Sequence, residues 1–411
     1  MDLVHSHRDE GSPAQEVADG IGGFTTHRAW RSLAIKLLAV GVVSVVVVGA
    51  ILALIRPVVP ATRDDPSPTV TVPEGPTRFA GPPQTTVPLD IIEQLNLGPR
   101  AVSAMSVNPG VVWLATQGVT NGVTGTLIRV DATTAHKTAG WTIGGDPVAI
   151  AARGQFVWVA NGHGDGPRTL PGQNTVEQFN AATGALVHVY RVLDPRGLVA
   201  NPTSALVISA NPGQQTAISL LSAGNATAVT TLPGTLQAPV SWLSPEVALA
   251  VCPDRVFVAL SSELASGANV TIYAMQASGA AVRRVATIPS DYAASMACDT
   301  TSLFLIGAAG NGNTSIARVS VADGRVTNLW EGPYPVAVAF LSGRVWITYS
   351  DDALNESVLT SLDPATGIAA STRSVVPAPP TSGDPSLLIP GDSGLWLVAS
   401  LGSSLLHIAA G

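Results

Sequence analysis

The sequence predicts an all-β fold, a seven-bladed β-propeller preceded by one transmembrane helix and a proline-rich linker. Three observations carry it. A short motif returns seven times after residue 100, its spacing matches a four-stranded blade, and a long uncharged apolar run precedes the repeats. Each copy of the motif is a strand of small and apolar residues, a short turn, and a tight apolar strand centred on an aromatic, with the third copy, Leu206-Val207-Ile208-Ser209-Ala210, aliphatic at its centre. The centres read as Trp113, Trp158, Ile208, Phe257, Phe304, Trp346 and Trp396, spaced 45, 50, 49, 47, 42 and 50 residues apart. A period of about 47 residues filled with short β-patterned runs is that of a propeller blade.

Composition agrees. Charged residues make up 12% and apolar residues 46% of the 411, with 40 glycines and 31 prolines to punctuate many short strands. The net charge of −7 builds no positive field for a phosphate backbone, so nucleic acid is excluded as an expected partner. Lysine occurs only at Lys36 and Lys137 among 21 basic residues, a bias that fits high-GC bacterial coding.

Leu37 to Ile55 reads LLAVGVVSVVVVGAILALI, without a charge. As a helix these residues rise about 28 Å, close to the hydrocarbon thickness of a bilayer. A cleaved signal peptide is the alternative, but the preceding region is long and no small-x-small site follows. Arg28, Arg31 and Lys36 before the span set the N-terminus in the cytoplasm and everything after Arg56 outside. The expected organisation is a cytoplasmic tail over 1–32, a membrane helix over 33–56, a linker over 57–84 and the propeller over 85–411. The linker is proline-rich and favours extended, polyproline-like chain.

Four strands can be placed in the second repeat: Val148–Ala151, Phe156–Ala160, Thr175–Phe179 and Ala185–Val192. A turn joins the last two and recurs as Asn180-Ala-Ala-Thr-Gly184, Asp363-Pro-Ala-Thr-Gly367 and Ala322-Asp323-Gly324. Asx residues start such turns by accepting from the backbone ahead, and glycine supplies positive φ. The last repeat has only one strand, Ser404–Ala409, after Trp396. Val87–Leu97 is therefore expected to supply its outer strand and close the ring, removing two free sheet edges. Trp113, Trp158, Trp346 and Trp396 share one repeat position and are expected to pack between blades. Cys252 and Cys298 fall at the ends of inner strands four and five. That register predicts a disulfide; two buried free thiols are the alternative.

Pro147-Val-Ala-Ile-Ala151, then Val157-Trp-Val-Ala-Asn161 and an Asx-x-x-Thr-Gly turn, resembles the YVTN/YncE-type bacterial propellers over residues 85–411. The resemblance implies fold more than activity. Streptogramin lyases and quinoproteins look related, but the expected His and acid array is missing from the apolar strands. The Asp131-Ala-Thr-Thr turn before Trp141 lacks the glycine of a tryptophan docking turn.

Ligand chemistry is expected where second-to-third loops and inter-blade loops share one face around the channel. The candidate rim is Arg100, Asp146, Arg196, Glu246, Asp291, Tyr292, Tyr334 and Asp384, joined by His163 and Asp165 from the longest second-to-third loop. Mixed charge with tyrosines suits a polar ligand or peptide. No metal site is expected: the His163 loop lacks the calcium-loop pattern, and no Cys/His cluster appears. No cofactor and no catalytic residue is assigned. The resulting expectation is a single-pass, extracytoplasmic module of the cell envelope that binds a protein, peptide or envelope polymer. An extracytoplasmic enzyme of unknown substrate is the alternative, and a purely structural envelope protein is a third.

Overall fold

The computed structural model describes residues 85–97, 102–118, 124–162, 172–209, 215–235, 247–264, 267–290, 292–308, 314–332, 335–351, 356–370, 372–376, 387–399 and 404–409. The expected tail, membrane span and linker lie outside the described residues. Among the described residues, no helix is long and apolar enough to cross a membrane.

Seven sheets form, five from four consecutive antiparallel strands each and two completed by strands from the N-terminal side of the ring, and each is one blade. Blade two is representative: Pro147–Arg153 is innermost, followed outward by Phe156–Asn161, Thr175–Asn180 and Leu186–Arg191. These strands match the sequence reading to within one or two residues. The motif register needs one correction. In every blade the central residue of the second strand pairs with the inner-strand residue seven positions earlier, as Trp158 does with Ala151. In blade three that residue is Leu206, opposite Val199, and not Ile208. The third copy is an unbroken aliphatic run with no aromatic to fix its register.

The seven central residues distribute one to each of seven inter-blade cores. Trp113, Trp158, Leu206, Phe257, Phe304 and Trp396 are buried in six of them, and the partly buried Trp346 packs against the seventh. A blade buries both faces against its neighbours, so the ring is stabilised wedge by wedge rather than by a single centre. Trp141 adds a contact of its own. Its indole covers the turn at Gly184 of the next blade, where a Cβ would come within 1.7 Å of the ring.

The turn reading holds in detail. Asn180 Oδ1 accepts the N–H groups of Ala182 and Thr183, and Asp363 Oδ1 those of Ala365 and Thr366. Gly184 and Gly367 follow at φ 68° and 71°. In blade one Asp131 makes the same turn, and Ala135 takes the positive φ of 49° where glycine is absent. The Thr134 backbone N–H holds the Asp131 carboxyl below the usual carboxylate range, and the Thr366 hydroxyl does the same for Asp363.

Ring closure takes the predicted route with an addition. Ile91–Asn96 pairs antiparallel with Ser404–Ile408 as the outer strand of blade seven. The expected single strand is broken at Pro88, which cannot donate to a ladder. The preceding piece, Thr85–Val87, pairs in parallel with Thr372–Val376 and makes blade six five-stranded. Arg373 Nε donates to Thr86 Oγ1 at 3.3 Å and Ser374 Oγ to the Pro88 carbonyl at 3.4 Å.

Cys252 and Cys298 are disulfide-bonded, with Cα atoms 6.1 Å apart. The bridge joins blades four and five within the core that holds Phe257. It sits at the hairpin end of the inner strands, opposite the end where the second-to-third loops emerge.

His407 lies across from Glu93 of the closure strand, stacked on Trp396 at 4.3 Å and 3% exposed. Burial holds its imidazole below the ordinary histidine pKa, with Glu93 opposing. A depressed histidine contributes stability above the unfolded pKa, about 6.5, and loses it as pH falls. The thermal midpoint is therefore expected to drop between pH 7.5 and 5, with a shallower drop in His407→Phe. Equal slopes in the two proteins would remove His407 from the acid response.

Candidate functional site

The inner strands of blades one, two, three, five and six each open with a register shift at the loop-bearing end. Bulges there re-aim one side chain per strand. The residues at these shifts are Ser103, Val148, Arg196, Ala294 and Val336, so Arg196 is the one charged member. Its guanidinium meets the Asp194 carboxylate at 2.9 Å, with side-chain exposures of 19% and 4%. Asp194 itself holds a φ of 44°, a region that L-residues occupy at a cost. Its N–H donates to Asn174 Oδ1 at 2.8 Å, which fixes the loop that carries it.

Of the predicted rim, Asp146, Arg196 and Tyr292 are among the described residues, all at the same end of inner strands two, three and five. Asp146 is half-buried and its carbonyl accepts the Gly162 N–H at 2.9 Å, tying the inter-blade loop to the second-to-third loop. Tyr292 begins its strand opposite Ala308. Arg100, His163, Asp165, Glu246, Asp291, Tyr334 and Asp384 lie outside the described residues.

Arg196→Ala leaves the buried Asp194 without this cation. A loss of about 1–3 kcal/mol is expected by urea unfolding, because a largely buried carboxylate then loses a charge-assisted hydrogen bond. An unchanged midpoint would mean that the pair contributes nothing to stability.

The structure also assembles a group that the sequence reading did not single out. Glu177, on the third strand of blade two, faces blade one and accepts the Gly144 N–H at 3.2 Å. Burial pushes its carboxyl above the ordinary range, and the bonds from Gly144 and the Asn161 amide only partly oppose this. Asn161 is 0% exposed; it donates to Thr175 Oγ1 at 3.3 Å, and its Oδ1 has no partner. Glycine at 144 is required, since a Cβ there would come within 2.5 Å of the Asn161 amide carbon. At the repeat position of Glu177 the other blades carry Ile128, Ser219, Tyr273, Ala317, Thr360 and Leu406. A carboxylate where every other blade has a neutral residue was the available signal. It could be recognised only once the third strands were in register.

A second polar pair sits in blade seven, where Ser393 Oγ lies 3.2 Å from His407 Nε2. The other ring nitrogen has no hydrogen-bond partner, so no acid orients the imidazole as a nucleophile's base requires. Stacked on Trp396, the pair serves packing. Among the described residues, no group of three or more His, Cys, Asp or Glu is placed to hold a metal ion.

These features define a seven-bladed β-propeller protein whose distinctive polar groups gather at the loop-bearing end of blades one to three. No family model matches the chain, and no curated protein does. Solved structures share the fold. The RRP9 WD40 repeats align over 79% of this chain and 100% of theirs, at 10% identity and a TM-score of 0.53. U3-55K aligns over 78% and 100% respectively, at 10% identity and 0.52. BamB from Moraxella catarrhalis aligns over 78% and 99%, at 13% identity and 0.49.

Proposed function

We propose that this protein is a membrane-anchored, extracytoplasmic propeller of the bacterial cell envelope, akin to the YVTN/YncE type. In this reading it binds a protein, peptide or envelope polymer on its loop-bearing face. The observation that carries the reading is the ion pair at the loop-bearing end of blade three, where Arg196 stands on a bulge beside buried Asp194. A rigid closed ring that presents polar groups at one end is suited to recognition by its loops. The disulfide supports an oxidising compartment, and the uncharged run over Leu37–Ile55 supports the anchor.

Proximity labelling from the propeller on intact cells tests the binding reading, and protease added to spheroplasts tests the topology. The expected results are a reproducible set of labelled envelope components and degradation of the propeller from outside. A propeller protected from external protease would overturn the placement, and an empty labelled set would overturn the binding role.

A further inference from the structure

Eight large apolar side chains stand well exposed among the described residues, and four of them, Leu186, Val187, Val189 and Leu193, fall within one short segment. That segment is the outer strand of blade two, Leu186–Arg191, with the turn that follows it. Its outward edge pairs with no described strand. An apolar edge left open offers backbone donors and acceptors to an extended chain, here from His188 to Arg191 beyond a bulge at Val187. Blade six shows such an edge in use, with Thr85–Val87 added to it.

The open edge adjoins the Glu177 group. Val189 lies directly across from Glu177, and Arg191 across from Thr175, on the face toward blade one. Glu177 is a partly buried carboxylate held by neutral donors, beside a fully buried amide oxygen that lacks a partner. Both are acceptors, so the group calls for a cationic donor. The chain's net charge of −7 favours the same sign of partner.

The geometry points to the outer edge of blade two as a docking surface for an extended protein segment whose single lysine or arginine reaches across Val189 to Glu177. A strand added to this edge would lie two strand spacings, about 10 Å, from the strand of Glu177. A basic side chain and a glutamate span that distance together, the aliphatic stem lying on Val189. A residue two places from the basic one would face Arg191, and on the other side the added strand would meet the bulge at Val187. Exposed Arg191 disfavours a second basic residue there and limits the motif to one. The proposal rests on the binding-module reading and adds to its loop-bearing face a second site, on the rim of blade two, with its own partner chemistry.

The test uses the full-length protein and a blocked fluorescent peptide, Thr-Val-Thr-Lys-Thr-Val-Thr, read by anisotropy. Saturable binding is expected, with a loss of about tenfold or more on replacing the peptide lysine by norleucine, and the same loss in Glu177→Gln. The glutamine variant also reports on the group's role. A carboxyl raised by burial disfavours the fold as pH rises through its raised pKa, so Glu177→Gln is expected to melt higher than wild type at pH 8, with the gain vanishing toward pH 4. A purely structural Glu177 would instead give a lower melting temperature. Absence of peptide binding, equal binding to Glu177→Gln, or full competition by n-butylammonium alone would each overturn the docking site. Labelling on intact cells separates this from the broader reading. A labelled set unchanged in Glu177→Gln removes this site and leaves the binding role standing, whereas an empty set in wild type removes both.

Discussion

Deleting residues 85–97 is expected to open the ring and cost more than about 5 kcal/mol, the largest effect of any change considered. The segment supplies the outer strand of blade seven through pairs from Ile91↔Ile408 to Asn96↔Ser404. It also contributes Leu89, Ile91, Leu95 and Leu97 to the cores on either side of that blade. Without it, Ser404–Ile408 becomes a free edge beside buried Leu405 and Leu406. Light scattering after size exclusion should show oligomers, and the thermal transition should move down sharply. A shorter deletion that removes only residues 85–90 separates the two pairings: it strips the fifth strand from blade six and leaves blade seven closed, so it should stay monomeric. A full deletion as stable and monomeric as the parent would refute the closure.

Replacing Cys252 and Cys298 together by alanine is expected to cost about 4 kcal/mol, since the bridge spans 46 residues and restricts the unfolded chain accordingly. Ordinary replacement of a partly buried small residue costs far less, so the magnitude distinguishes the cross-link from the packing. Blades four and five share the core around Phe257, Ile272 and Leu303, and the loosening should appear first as faster amide exchange in those strands. A denaturation midpoint within about 1 kcal/mol of wild type would mean that the cross-link restricts little that the fold does not already fix.

The architecture was legible because each blade repeats one physical solution. An aromatic or leucine at the centre of the second strand fills a wedge in each blade, and an Asx-Gly turn ends the third strand in blades two and six. Closure was legible from a deficit, one strand short at one end and one spare at the other. The partition of the spare segment between two blades was not, because Val87–Leu97 reads as continuous β pattern unless Pro88 is given its full weight. The candidate site was legible only in part. Asp146, Arg196 and Tyr292 could be placed by register at the strand starts, yet Arg196 is distinguished by a bulge and by Asp194, and a bulge leaves no mark on hydrophobic alternation. Glu177 was overlooked for a related reason. Thr-Val-Glu-Gln-Phe-Asn looks like any half-exposed strand until the equivalent strands are laid side by side.

The three residues Thr85–Val87 have a mechanical consequence. Any pull on the chain ahead of them falls first on their short pairing with blade six, and reaches the Ile91–Asn96 pairing only after that has parted. The ring is thereby buffered against tension at its own seam. The first contact can rupture and re-form while the longer one keeps the circle intact. Single-molecule stretching from the N-terminal side should record a small, reversible extension at low force before the cooperative opening of the propeller, and the small event should disappear when residues 85–87 are replaced by a glycine-serine segment.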